Sequence, residues 1–128
     1  MKVLGAGRTI LWRPRNESGF HLWFILSDPS GEPETVIAVC LRSMKRFADE
    51  TLILHAGEHP FIRHDSFVLF STANRYRVRQ FEAALERGDL HLKEDMSRSL
   101  LTRMREALLA SPFTRHALRD EGTSLFDA

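Results

Sequence analysis

The first half of the chain alternates between short apolar runs and short polar connections. We assign five runs to β-strands: "RTILW" from Arg8, "FHLWFILS" from Phe20, "TVIAVCLRS" from Thr35, "TLILH" from Thr51 and "SFVLFS" from Ser66. Runs of this length, rich in β-branched and aromatic residues and bounded by turn residues, are typical of strands. The second and third runs are almost continuously apolar, which predicts central strands buried on both faces. The even spacing indicates a small antiparallel sheet or barrel.

The second half of the chain follows a helical period instead. The first helix is predicted to begin near Val78 and to stop at Gly88. A second helix is predicted from a cap at Asp95 to about Ala110, and a third, shorter one begins at Pro112. Strands first and helices last indicate a β-rich α+β fold, with the helices packed on one side or end of the sheet.

Length and composition fit one globular domain. The chain has 128 residues, of which 43% are hydrophobic and 27% charged, so it is long enough to bury one core. We therefore take 1–128 as a single domain, with strands over about 7–73 and helices over about 77–121. The chain has 18 basic and 17 acidic residues, and the resulting net charge of +1 neither demands nor excludes a nucleic-acid partner.

Cysteine usage and the N-terminus favour the cytoplasm. Cys40 is the single cysteine, which excludes an internal disulfide and fits a reducing compartment. It lies in an apolar run, which predicts a buried, inert thiol. The apolar N-terminal stretch is broken by Gly5, Gly7 and Arg8, so we expect neither a secretory signal nor a membrane partner.

Segments spread over nearly the whole chain carry a resemblance to a known family. They are "GRTILW" from Gly7, "HLWFILS" from His21, "VIAVCLRS" ending at Ser43, "HDSFVLFSTA" from His64 and "DMSRSLLTRMREALLA" from Asp95. Their order and spacing resemble those of the MazF/PemK (Kid-like) toxin family. The resemblance implies a compact SH3-like antiparallel β-barrel of about five or more strands, followed by C-terminal helices.

The same resemblance implies a function. It points to an endoribonuclease toxin of a type II toxin–antitoxin system, which cleaves single-stranded RNA without a metal or other cofactor and pairs with an antitoxin protein. The chain departs from the family pattern at His21, where the family has arginine, and at Cys40 and Arg42, where it has proline and threonine. No carboxylate follows the fifth strand, at 71–74. These departures favour an alternative, a non-catalytic barrel that binds a protein or nucleic-acid target.

Cleavage of RNA without metal needs a base for the ribose 2′-hydroxyl, a cation near the phosphate and an acid for the leaving oxygen. Histidine suits both proton-transfer roles near neutral pH. The candidate catalytic residues are His21, Ser43, His59 and His64. Each also has an ordinary alternative role, as a strand-end, turn or loop residue. A zinc site that includes His55 is a further alternative, although the histidine spacing matches no zinc motif.

Basic residues near the strand ends are candidates for binding the RNA backbone. The predicted substrate-binding residues are Arg15, Arg42, Lys45, Arg46, Arg63 and Arg75. With Phe47 and Tyr76 available for base stacking, they could hold single-stranded nucleic acid. The alternative is that these charges only form a solvated face.

Aromatic residues in the loops predict self-association. Phe20, Phe47, Phe61 and Phe113 fall in loops, where a small monomer has little core left to bury them. An open barrel also leaves strand edges that proteins usually cover. We therefore expect a homodimer.

Overall fold

Six strands form one antiparallel sheet, which curls into a half-barrel. The computed structural model describes residues 4–126. The strands are β1 (Thr9–Trp12), β2 (His21–Ile25), β3 (Thr35–Ser43), β4 (Ile53–Leu54), β5 (Ser66–Arg77) and β6 (Leu90–Lys93). Their order across the sheet is β4-β5-β3-β2-β1-β6. The helices are α1 (Val78–Arg87), α2 (Arg98–Ala110) and α3 (His116–Phe126), so the predicted β-rich α+β class is confirmed.

The two central strands are buried on both faces, as predicted from their apolar runs. Residues of β2 and β3 point alternately into two hydrophobic clusters. One cluster is completed by α2 and α3 and includes Phe24 and Met104. The other is completed by α1 and includes Trp12, Trp23 and Phe81. The sheet therefore lies between helices, and the strand ends at its rim are free to carry polar side chains.

The helix boundaries follow local capping chemistry. Gly88 ends α1 with a left-handed φ of 83°, which confirms the predicted stop. The cap of α2 is Ser97, whose hydroxyl accepts a hydrogen bond from the Leu100 N–H, and not Asp95 as predicted. The third helix begins at His116, one short turn later than Pro112. Within residues 4–126, none of the helices combines the length and apolar character needed to cross a membrane.

Two features of the sheet were not predicted. The segment Leu90–Lys93, between two helices, forms the edge strand β6 and pairs with β1. The long strand β5 is irregular where it pairs with β3: the ladder advances two residues on β3 (38 to 40) and five on β5 (69 to 74). The additional residues bulge from the strand, as in an enlarged β-bulge.

The register brings three strand ends together at one rim of the sheet. Ser43, at the end of β3, pairs with Ser66 at the start of β5, and the pairing of Trp23 with Cys40 sets the start of β2 beside the same end of β3. The loop from β4 to β5, residues 55–65, closes over this rim. Candidate residues that are distant in sequence are therefore neighbours in the fold.

Candidate functional site

A cleft of about 400 Å³ opens at this rim. We call it the basic cleft; its lining residues include His21, Arg42, Ser43, Lys45, Arg63 and His64. Every one of these six is among the sequence-predicted site residues, and they come from β2, β3 and two loops. Within the described part of the chain, no aspartate or glutamate lines the cleft. The arrangement suits an anionic ligand such as a phosphate group.

Ser43 and His64 form a direct contact in this cleft. The Ser43 Oγ lies 2.8 Å from the His64 Nε2, within hydrogen-bond distance. Both side chains are exposed to solvent, and they belong to the ends of segments that the β3–β5 register brings together. The hydroxyl therefore favours one orientation of the imidazole at the mouth of the cleft, with Nε2 directed to Ser43.

His21 occupies a different environment from His64. It is partly buried at the start of β2. Burial and the neighbouring Arg42 guanidinium lower its pKa, and the Glu17 carboxylate opposes them in part. Because histidine ordinarily titrates at about 6.5, a lowered pKa leaves His21 neutral at pH 7. It is therefore ready to accept a proton.

Arg42 is anchored from two sides. Its Nε donates to the Cys40 Sγ at 3.2 Å, and its Nη2 lies 3.9 Å from a Glu17 carboxylate oxygen. Burial raises the pKa of the Cys40 thiol to about 11, so this thiol stays protonated, as expected for an inert core cysteine. These two contacts favour one position of the guanidinium, which also lines the cleft.

His59 has a structural role instead of a place in the cleft. It is only 2% exposed. Its Nε2 donates to the Glu94 carbonyl at 2.6 Å, and its Nδ1 accepts from the Phe61 N–H at 3.0 Å. Both ring nitrogens are therefore occupied, and we leave His59 out of the proposed catalytic set. It fixes the loop that carries Arg63 and His64.

Three of the predicted substrate-binding residues lie outside the basic cleft. Arg15 lines a separate cleft beside α1. Arg46 is exposed, with its guanidinium 5.3 Å from the centre of the Phe47 ring. Arg75 links β5 to β3 and α3, because it donates to the Thr35 Oγ1 at 2.7 Å and to the Glu121 carboxylate.

The histidines are dispersed among different partners. His55, the first residue of the loop, binds the Asp65 carboxylate through Nδ1 at 2.9 Å. This hydrogen bond, with the charge of Asp65, raises the pKa of His55. Among residues 4–126 no group of three or more His, Cys, Asp or Glu side chains is arranged to hold a metal ion.

Two aromatic residues of the cleft were not selected from the sequence as site residues. Phe20 and Phe61 line the basic cleft beside His21 and Arg63. Phe61 is 42% exposed, an unusual state for a phenylalanine. Phe20 directly precedes His21, and Phe61 lies two residues before Arg63; both His21 and Arg63 had been selected. The sequence signal that could have identified them is an aromatic residue within two positions of a basic residue or a histidine at the end of a loop.

Comparisons of this chain with protein-family models, curated proteins and solved structures found no significant match. The resemblance to the MazF/PemK family therefore stays a prediction. The functional interpretation depends on the contents and geometry of the basic cleft.

Proposed function

We propose that this protein is a metal-independent endoribonuclease that cleaves single-stranded RNA in the basic cleft, on an SH3-like barrel of the MazF/PemK toxin type. One observation carries the proposal: the cleft unites His21 and His64 with Arg42, Lys45 and Arg63. Attack of the ribose 2′-hydroxyl on the adjacent phosphate of RNA requires a base, an acid and cations around one opening, and two imidazoles with several cations meet this requirement.

The environment of His21 suggests that it acts as the base, which leaves the acid role to His64. Neutral His21 takes the proton of the ribose 2′-hydroxyl, and the 2′-oxygen attacks the adjacent phosphorus. The bond from phosphorus to the 5′-oxygen breaks, and His64 in its protonated form gives a proton to that oxygen. The products are a 2′,3′-cyclic phosphate and a free 5′-hydroxyl, so no water is consumed in this step. Ser43 holds the His64 ring in place through the 2.8 Å contact.

The cations act on the phosphate. Negative charge on the non-bridging oxygens grows as the pentavalent arrangement forms, and fixed positive groups stabilise it. Arg42 is anchored to Cys40 and Glu17, so its position needs little reorganisation. Arg63 can form two parallel hydrogen bonds to phosphate oxygens, whereas Lys45 acts as a point charge.

A second candidate function is binding of single-stranded nucleic acid without cleavage. The observation that favours it is the exposed ring of Phe61, which lies beside Arg63 in the lining of the same cleft. Exposed aromatic rings among cations bind bases and backbone without any catalytic group. The two candidates share the cleft and differ in whether the histidines transfer protons.

The decisive experiment uses a long single-stranded RNA incubated with purified protein in EDTA. We expect discrete fragments that end in 2′,3′-cyclic phosphate. His21→Ala and His64→Ala should each slow cleavage by about 10²–10⁴-fold, the usual range for general acid–base groups. Expression of the wild type, but not of His64→Ala, should slow the growth of cells, as expected of a toxin.

His116→Ala is the matched control, because His116 is an exposed histidine on α3 outside the cleft. It should cleave like the wild type, and its purification by the same procedure tests for contaminating nucleases. Circular dichroism spectra establish that each variant is folded. Intact RNA across several substrates, or equal activity in the His64→Ala variant, would overturn the catalytic proposal. Retained RNA binding without cleavage would support the second candidate.

A further inference from the structure

A second cleft, of about 310 Å³, meets the basic cleft at Arg42, which lines both. We call it the aromatic cleft; its lining residues include Trp12, Pro14, Trp23, Arg42, Asn74, Tyr76 and Arg115. The rings of Trp12, Trp23 and Tyr76 pack edge-to-face with centroids 5.0–5.6 Å apart. They form a firm apolar wall. Arg42 and Arg115 supply positive charge, which the Glu17 carboxylate, also in the lining, offsets in part.

The irregularity of β5 shapes this cleft. The residues that bulge from the strand, Ser71 to Ala73, line it together with Asn74. The bulge is fixed by specific hydrogen bonds: the Thr72 Oγ1 accepts from the Cys40 N–H at 3.0 Å, and the Tyr76 hydroxyl donates to the Thr72 carbonyl at 2.7 Å. Bulges that redirect side chains are frequent next to functional sites.

One lining residue carries a polar group without a partner. Trp23 is 4% exposed, and its indole Nε1–H is buried with no hydrogen-bond acceptor in the described protein. A buried donor without an acceptor is costly, and such a group in a native fold calls for an explanation. A ligand that enters the aromatic cleft deeply enough to bring an acceptor to this buried N–H would remove the cost.

We propose that the aromatic cleft binds a nucleobase of the nucleotide next to the phosphate held in the basic cleft. The inference rests on the proposed function, since it assigns a base subsite to the same RNA. A base supplies a planar ring to pack against Tyr76, the half-buried member of the aromatic wall, and a carbonyl oxygen or ring nitrogen for the Trp23 N–H. Arg42, shared by the two clefts, contacts the phosphate that joins them. Arg115 faces the next phosphate or the base edge.

The chain offers a direct readout, because its two tryptophans, Trp12 and Trp23, both line this cleft. The probe is a short single-stranded RNA with fluorine at each 2′ position, which removes the attacking hydroxyl and prevents cleavage. A second strand of the same length has abasic residues throughout. We expect the base-bearing strand to change the tryptophan fluorescence of the wild-type protein saturably, and to bind roughly tenfold tighter than the abasic strand.

Two variants locate the effect. Arg115→Ala removes an exposed cation that lines only the aromatic cleft, and it should reduce the preference for the base-bearing strand. Trp23→Phe keeps an aromatic ring but removes the N–H, and it should also reduce the preference for the base-bearing strand. Arg63→Ala, in the basic cleft only, should weaken both strands equally and leave the preference unchanged.

The outcomes separate this inference from the proposed function. Equal affinity for the two strands, or no saturable fluorescence change, overturns the base subsite even if RNA is cleaved. A base-dependent fluorescence change that Arg115→Ala and Trp23→Phe reduce supports the subsite even if RNA is not cleaved. A preference that survives both variants places the base elsewhere and overturns the inference.

Discussion

His21 and Arg42 both line the basic cleft, and the charge of Arg42 contributes to the low proton affinity of His21. The largest cause of the lowered pKa of His21 is burial, and the guanidinium adds to it. A base with a lowered pKa stays unprotonated to a more acidic pH. The acid limb of the cleavage rate is therefore expected below the usual histidine value of about 6.5.

Arg42→Gln is expected to raise the pKa of His21, because it removes a positive charge while burial persists. NMR titration of the imidazole measures this without any need for activity. The acid limb of the pH–rate profile should move to higher pH in the same variant. Arg46→Gln, an exposed arginine outside the cleft, is the control and should leave the pKa unchanged. A His21 pKa that stays constant or falls in Arg42→Gln would contradict the assignment.

The site residues were predictable from sequence where they lie next to strand ends. His21, Ser43 and His64 flank apolar runs, and antiparallel pairing brings such flanks together. His59 was not predictable, since its role depends on a carbonyl 35 positions away in sequence. Local sequence gives the chemical type of a residue but not its distant hydrogen-bond partner.

The loop of residues 55–65 owes its conformation to one buried side chain. His59 joins it to the Glu94 carbonyl, and the ring also packs edge-to-face against Phe24 at 6.2 Å between centroids. The loop carries Arg63 and His64, so its position determines the shape of the basic cleft. The stability of this element and the geometry of the cleft are therefore coupled.

His59→Ala is expected to lower the free energy of unfolding by about 2–3 kcal/mol, because it leaves buried polar groups without partners and opens a space beside Phe24. Denaturant unfolding measures the loss. Cleavage should fall as well, because His59 holds the loop that carries Arg63 and His64, although it touches no substrate itself. His55→Ala, on the same loop but exposed, is the control and should change stability little. Equal unfolding midpoints for His59→Ala and wild type would exclude this role.

At the level of elements, the sequence predicted five of the six strands and the helical period that follows them, although only Ile53–Leu54 of the fourth apolar run forms β4. It missed β6, because four residues between two helices form a strand only through pairing with β1. It also missed the bulge in β5, which depends on side-chain hydrogen bonds from Thr72 and Tyr76. Short or irregular strands are determined by long-range partners more than by their own composition.

The whole molecule presents two sheet edges, β4 and β6, and several exposed aromatic rings. Phe47 is 94% exposed and Phe113 is 56% exposed. Phe47 also adopts a positive φ of 61°, which is strained for a bulky residue. Exposed apolar groups of this size commonly mark contact surfaces, so the homodimer remains our expectation.

Light scattering at micromolar concentration tests the homodimer. The expected mass is about twice the 14.7 kDa of one chain, decreasing on dilution if association is weak. Phe47→Ser should shift the equilibrium toward the monomer if this ring is buried between two copies. A mass near 14.7 kDa at every concentration would remove the dimer.

The double anchoring of Arg42 limits which residue can replace it. One guanidinium nitrogen donates to the Cys40 sulfur, and another lies near the Glu17 carboxylate. Because a guanidinium has five N–H donors, others remain for a ligand. A lysine has a single ammonium group, which cannot reach Cys40, Glu17 and a ligand from the positions that the guanidinium nitrogens occupy. An exchange that preserves charge would thus lose the contacts with Cys40 and Glu17 or withdraw the cation from both clefts. Relatives of this protein should tolerate variation around Arg42 more readily than at Arg42 itself.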